Sequence, residues 1–302
     1  MMAKLQQQKN EDVSAVLIAG PTASGKSALA LRLAQELGGE IVNADSMQVY
    51  GVLERLTARP SAGDLALVPH HLYGHVPPQN AYSTGIWVQE ATDVIADIRA
   101  RRAIPVVVGG TGLYLRALTG GLSDMPSIPV EIRDPLRARL EDEGIEPLHA
   151  ELARLDPQMA ERLRPADRQR VLRALEVVKA TGQSISSFQG RGGPMIVDPS
   201  RARCIVLEPD RPVLHARINA RFAKMVEQGA LDEVRELISL NIPPQHPAMK
   251  AIGVAPLAAH IEGRTSLDEA IERSSAATRQ YAKRQMTWFR NQLDASWQRL
   301  QL

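Results

Sequence analysis

The stretch VSAVLIAGPTASGKSALALRLAQEL, residues 13–37, decides the architecture. Val13 to Ala19 is an apolar run of strand length, and Gly20 to Ser27 is a glycine-rich turn. Ser27 to Leu37 then carries Leu29, Leu33 and Leu37 at helical spacing. The turn, Gly20-Pro21-Thr22-Ala23-Ser24-Gly25-Lys26-Ser27, satisfies G-x-x-x-x-G-K-[ST], the P-loop signature of nucleotide-binding and ATP-binding proteins. Its glycines allow a tight turn, so successive N–H groups converge on one anion at a helix N-terminus. Lys26 brings a mobile positive charge to the terminal phosphates, and the Ser27 hydroxyl is placed to hold Mg²⁺. All eight residues are candidates for a diphosphate cradle.

The alternation continues downstream. Ile41 to Asn43 reads as a second strand running into Asp45. Trp87 to Arg101 reads as a helix with Val88, Ala91, Val94, Ile95 and Ile98 on its buried side. Pro105 to Val108 is another strand, closing in Gly109-Gly110-Thr111-Gly112. This order predicts an α/β fold, a P-loop NTPase-like parallel sheet flanked by helices with right-handed crossovers. After about residue 120 the rhythm turns helical, with no convincing strand between 130 and 190. A Gly/Pro/Ser stretch from Gly190 to Ser200 follows, Cys204 to Leu207 restores strand character, and helices are expected to fill the remainder. The expected division is a core of residues 1–125 and 200–302 with an inserted all-helical domain over 126–199.

With 302 residues, 44% apolar and 23% charged, the chain can bury one large or two ordinary cores. A formal charge of +2 neither demands nor excludes a polyanionic partner. The single cysteine, Cys204, excludes an intrachain disulfide or a Cys-rich zinc site and reads as a small core residue. No apolar run reaches the ~20 residues of a transmembrane helix. The polar opening, Met1 to Ser14, lacks the apolar core of a signal peptide. A cytoplasmic globular protein without membrane contact is expected, and a monomer. His70, His71 and His75 lack neighbours in metal-ligand spacing and read as loop or supporting residues. An aromatic content of 4% argues against a broad stacking platform.

ATPases and kinases of the P-loop class hold Mg²⁺ with an acid at the end of a second apolar strand. The strand before Thr111 ends without one. Val94-Ile95-Ala96-Asp97 has an acid but lies inside a helical pattern, so Asp97 reads as a solvated helix residue. Such a site suits a diphosphate that departs rather than a nucleotide tail. Asp45 follows the second strand, where open α/β sheets place their ligand crevice. There it can cap a helix, bind Mg²⁺ indirectly or accept a proton from a nucleophile. Gly109 to Gly112 offers unhindered N–H groups and the Thr111 hydroxyl to the same anion.

GPTASGKS at 20–27, DSMQVY at 45–50, TARPS at 57–61 and PHHL at 69–72 occur in one order. VVGGTGLY at 107–114, DRQRVLRALEV at 167–177 and TRQYAKRQMTWFR at 278–290 complete it. The set resembles the tRNA dimethylallyltransferase, or tRNA isopentenyltransferase, family across nearly the whole chain. It departs from the family's usual wording at Gly51–Arg59, GVLERLTAR, and at Gly253-Val254-Ala255. The resemblance implies transfer of a dimethylallyl group from dimethylallyl diphosphate to N6 of adenosine 37, 3′ of the anticodon. The acceptors it implies are tRNAs that read codons beginning with U, and the cofactor is Mg²⁺. Allylic C–O cleavage puts negative charge on the departing diphosphate, which Lys26, Thr111 and Arg217 would stabilise. Asp45 would accept a proton from the adenine amino group.

The resemblance also assigns contacts with the tRNA anticodon arm, whose target base must leave its loop stack. These are Asp45, Ser46, Met47 and Gln48; Arg133; Gln169, Arg170, Val171, Leu172 and Arg173; Lys250 and Gly253. Thr278, Arg279, Gln280, Lys283, Arg284 and Gln285 complete them. Arg170 and Arg173 fall off the apolar stripe of Val171, Leu175 and Val178. Arg279, Lys283 and Arg290 share one helical face, with Tyr281 and Trp288 roughly opposite. Two other readings compete: a prenyltransferase or kinase for free adenine nucleotides, and a non-catalytic nucleic-acid-binding module with a vestigial P-loop. The basic helical insertion favours tRNA over a mononucleotide, and intact Lys26, Ser27, Asp45 and Thr111 disfavour the non-catalytic module.

Overall fold

Ala15–Ala19 (β1) is buried along its whole length, as a strand covered on both faces must be. Strand alternation divides its side chains between two cores. Ala15, Leu17 and Ala19 pack with Val42, Val107 and Val206, whereas Val16 and Ile18 pack with Ile41, Val106 and Ile205. The computed structural model describes residues 13–123, 125–190 and 192–301. Residues 1–12 of the polar opening, and Arg191 of the Gly190–Ser200 stretch, lie outside them.

After β1 come α1 (Lys26–Leu37), β2 (Gly39–Asn43), α2 (Ala62–Leu67), β3 (His70–His71), α3 (Thr84–Ala100), β4 (Ile104–Gly109) and α4 (Gly112–Leu118). A run without named strands follows: α5 (Val130–Asp142), α6 (Glu146–Leu155), α7 (Pro157–Arg162) and α8 (Arg168–Thr181). The chain then forms β5 (Ala202–Glu208), α9 (Arg211–Glu227), α10 (Ala230–Ser239), α11 (Val254–Ile261), α12 (Leu267–Gln292) and β6 (Gln298–Gln301). All strand pairs are parallel, in the order β3-β2-β4-β1-β5-β6. The carboxyl ends of β1, β2 and β4 therefore lie side by side, carrying the P-loop, Asp45 and Thr111.

Helices do not fill everything after β5, because β6 closes one edge of the sheet. Its sequence, Gln-Arg-Leu-Gln, has no apolar face to announce a strand. The two-residue β3 at the other edge is equally silent. Edge strands pair on one side only and need little apolar surface.

Helix α1 covers one face of the sheet through Ala30, Leu33 and Ala34. The other face is covered by Trp87, Ile95 and Ile98 of α3, Tyr114 and Leu115 of α4, and Phe289 of α12. Val88 and Val94, expected on the buried side of α3, sit at its margin. Trp87 Nε1 donates to the Asn43 carbonyl at 2.9 Å, and its ring stacks on Tyr114 at 4.1 Å. A third core joins Val49, Tyr50 and Leu53 to the inner faces of α9, α10 and α11. Cys204 is a buried free thiol, pushed up to about 12 by burial and next by Asp294.

The chain forms two units, one of residues 1–119 and 195–302 and one spanning Gly120–Pro194. The insertion thus begins and ends a few residues before the expected 126–199. The reason for the early return is local: the amides of Ile196 and Val197 both donate to the Leu118 carbonyl, and Val197 is fully buried. The insertion has its own core of Leu136, Leu148, Leu152, Val171, Leu175 and Val178. Among the described residues, no helix is long and apolar enough to cross a membrane.

Candidate active site

The P-loop turns sharply at Gly25, which caps α1 at φ +88° and supplies no side-chain cap. The first amides of α1 are therefore left for a ligand. Ala23 also adopts a left-handed φ of +61°, a strained choice for a residue with a Cβ. The Ser24 hydroxyl is buried without a partner. Lys26 reaches back to the Pro21 carbonyl at 3.3 Å. Burial pulls its ammonium down to about 8, Arg221 adds to that shift, and Asp45 opposes it. These groups border a cavity of about 460 Å³ lined by Ala23 to Ser27, Arg59, His70, Tyr73, Arg217 and Arg221. Three arginines and a lysine around unpaired backbone donors make an anion site.

Gly20, Pro21 and Thr22 do not line this cavity. They frame it instead, since Pro21 accepts from the Ser24 amide and the Thr22 amide is taken by Gln285 Oε1 at 3.0 Å. Arg217 lines the cavity as expected. Arg221 was not among the expected residues. It lies one helical turn after Arg217 on α9, so the i, i+4 arginine pair was the available signal. Burial lowers the Arg221 pKa while Asp45 opposes that shift.

A second, smaller cavity of about 80 Å³ shares Ala23 and Arg221 with the first. Its walls include Met47, Leu56, Ile218, Phe222 and Met225, with Asp45 and Tyr281 as polar members. Asp45 is set by its neighbours. Its amide donates to Asn43 Oδ1 at 2.9 Å, and buried Asn43 Nδ2 donates to the Asp45 and Leu72 carbonyls. One carboxylate oxygen, Oδ1, accepts from the Met47 amide at 2.9 Å. So Asp45 does make a local turn contact, yet its charge also reaches Lys26, Arg221 and Tyr281. An anion site thus adjoins an apolar chamber that has a carboxylate in its wall.

Thr111, expected on the diphosphate, lines neither cavity. Its hydroxyl accepts from the Ser46 amide at 3.0 Å and also bonds Tyr281, so it braces the strand-end loop that carries Asp45. Gln285 is a strut. It is nearly fully buried, and its Nε2 donates to the Gly110 carbonyl at 2.9 Å while Oε1 holds the P-loop. It has no free polar atom to offer RNA. Gln48 ties down the Thr57 and Ala58 carbonyls, fixing the loop that brings Arg59 to the cavity.

Other expected RNA contacts divide by exposure. Val171 is core, and buried Gly253, at φ +102°, packs against Leu56 and Phe222. Arg173 is bound to buried Glu176 and to the Pro126 carbonyl. Arg279 is spent on Asn219 and Glu272. Thr278 donates to Ser274 and lines the apolar chamber, as Met47 does. Gln169, Arg170, Lys250, Gln280, Lys283 and Arg284 are exposed, Leu172 is partly buried, and Arg133 contacts its neighbour Asp134. Asp97 lies on the solvent side of α3, paired with Arg101. His71 and His75 pair with Glu40 and Glu90, and His70 with the Val68 carbonyl.

Residues 48–292 match the family model described as IPP transferase, and residues 13–69 match one described as isopentenyl transferase. The chain is 57% identical over 297 residues to the tRNA dimethylallyltransferase of Rhizobium meliloti (strain 1021), covering 98% of both chains. It is 60% identical to that of Rhizobium leguminosarum bv. trifolii (strain WSM2304), covering 96% of this chain and 98% of the relative. Among solved structures, it is similar to the full-length tRNA isopentenylpyrophosphate transferase of Bacillus halodurans. That match has a TM-score of 0.67 at 36% identity and covers 95% of this chain and 89% of the other. A eukaryotic dimethylallyltransferase captured acting on tRNA superposes with a TM-score of 0.80 at 29% identity, over 95% of this chain and 73% of that one.

Proposed function

The chain belongs to the IPP transferase family, and we propose that it transfers a dimethylallyl group from dimethylallyl diphosphate to tRNA. The acceptor is N6 of adenosine 37, 3′ of the anticodon, in tRNAs that read codons beginning with U. One observation carries the reading: the anion cavity and the apolar chamber meet at Ala23 and Arg221, and Asp45, in the wall of the apolar chamber, acts electrostatically on Lys26 and Arg221 of the anion cavity.

The diphosphate takes the first cavity, where Lys26, Arg217, Arg221 and the first amides of α1 oppose its charge. The five-carbon tail takes the apolar chamber. As the allylic C–O bond breaks, its electrons go to the diphosphate, and the N6 lone pair forms the new C–N bond. Asp45 takes the proton from N6 and passes it to solvent. Lys26 and Arg221, partly withdrawn from water, are preorganised where negative charge grows, which lowers the barrier more than the same charges in water would. Thr111 holds Ser46, and through it the Asp45 loop, so its part is positioning.

Mg²⁺ fits the donors present. The Ser24 hydroxyl is buried and unpartnered in the same loop as the exposed Ser27, and Mg²⁺ binds through few protein oxygens plus substrate phosphates. Among the described residues, no three His, Cys, Asp or Glu side chains gather into a closed metal site. Ser27 and the diphosphate would hold the ion, which would add positive charge against the leaving group.

The test offers dimethylallyl diphosphate with two acceptors, an anticodon stem-loop and AMP. Transfer to the stem-loop at least about 100-fold more efficient than to AMP is expected, since remote RNA contacts supply orientation. Equal use of AMP would favour the free-nucleotide reading.

A further inference from the structure

A groove of about 520 Å³ runs along α12, lined by Gln280, Lys283, Arg284, Thr287, Trp288 and Gln292 among others. Its chemistry is unlike that of either active-site cavity. It combines one aromatic ring, two cations and several amide and hydroxyl groups, and it has no acid in its lining. The other two tryptophans, Trp87 and Trp297, are buried, whereas Trp288 is partly exposed.

Trp288 is held in place by the site itself. A Cβ at Gly112 would fall 2.2 Å from the Trp288 benzo ring, so the indole rests against the backbone next to Thr111. Phe289 packs edge-on against it at 5.8 Å. Thr111 in turn holds Ser46, the neighbour of Asp45. The groove therefore flanks the strand-end loops that carry the proposed base.

We propose that this groove receives a loop nucleotide adjoining the target adenosine, stacked on Trp288, with Lys283 and Arg284 against its phosphates. The inference rests on the tRNA reading above and adds a residue outside its expected contacts. When the target base leaves the loop stack, its neighbour loses a stacking partner, and an aromatic ring replaces that partner for any base. The amide of Gln280 lines the same groove and offers hydrogen bonds to a base edge, whereas Gln292 Oε1 already accepts from Arg116 at 2.8 Å. A single shelf is compatible with an aromatic content too low for a continuous platform.

Trp288→Leu and Trp288→Phe are the test variants, with an anticodon stem-loop as acceptor and pyrophosphate as the probe of the anion site. Trp288→Leu should raise the KM for the stem-loop by about 10-fold, the scale of one lost base–aromatic stack. Trp288→Phe should recover most of that loss, and pyrophosphate affinity should hold in both. In the wild type, stem-loop binding should quench tryptophan fluorescence, and Trp288→Leu should abolish the quench. A stem-loop KM within about twofold of wild type, or pyrophosphate affinity falling in parallel, would reduce Trp288 to a packing residue. If Trp288→Leu does not fold, Lys283→Ala decides: the salt slope of stem-loop binding should fall by about one, and an unchanged slope overturns the groove. Failure of the wild type to use the stem-loop would instead overturn the tRNA reading.

Discussion

Asp45 sits where two kinds of chemistry meet, and its replacement separates them. Asp45→Asn keeps the shape of the junction but cannot take a proton. Single-turnover transfer should slow by about 100-fold or more, the scale of a lost general base. Pyrophosphate affinity should hold or rise, because a negative charge near the anion site is gone. Transfer within threefold of wild type would remove Asp45 from the mechanism. Lys26 gives a pH signature. With its ammonium at about 8 in the free site, it is charged below that pH and loses its proton above it. Pyrophosphate binding should therefore be flat in this respect below about pH 8 and weaken above it, by up to about tenfold per unit. In Lys26→Ala the affinity should be lower throughout and the inflection near pH 8 absent; calorimetric titration across that range checks both. Lys26 and Asp45 were legible because each occupies a fixed place in a motif at a strand end. Arg221 was not, since an arginine inside an amphipathic helix looks like any solvated one until the fold buries it.

Helix α12 joins separate parts of the core unit. Its Gln285 links the P-loop at Thr22 to Gly110 at the end of β4, spanning the gap between two neighbouring strands. Gln285→Ala leaves a part-buried amide and a buried carbonyl without this partner. The expected cost is about 1–3 kcal/mol of stability, read by chemical denaturation, with weaker pyrophosphate binding because the loop loses its brace. Stability and binding both unchanged would contradict the strut. The sequence block containing Gln285 pointed to RNA, and periodicity could not separate a buried polar strut from an exposed contact. The central strands were readable from apolar runs such as Val16–Ala19 and Val106–Val108. The edge strands β3 and β6 were not, because His-His and Gln-Arg-Leu-Gln carry no pattern that a half-paired strand requires.

The whole molecule divides its work between a P-loop core and a helical insertion with its own core. The insertion's placement in the chain was visible in the loss of strand character after residue 120, while its ends depended on the hydrogen bonds that return Ile196 and Val197 to Leu118. On the insertion, Arg170 is the better probe of RNA binding than Arg173. The Arg170 side chain is 76% exposed and, among the described residues, pairs with Asp167 at 3.1 Å, whereas Arg173 neutralises a buried glutamate. Arg170→Ala should lower the salt slope of stem-loop binding by about one and leave pyrophosphate binding unchanged. An unaltered slope would remove Arg170 from the interface. The central claim, dimethylallyl transfer to tRNA, is tested most directly by mass spectrometry of tRNA nucleosides from cells with and without this protein. N6-(dimethylallyl)adenosine and any nucleosides made from it should disappear without the protein, return with the wild type, and stay strongly reduced with Asp45→Asn. An identical nucleoside profile with and without the protein would contradict that claim.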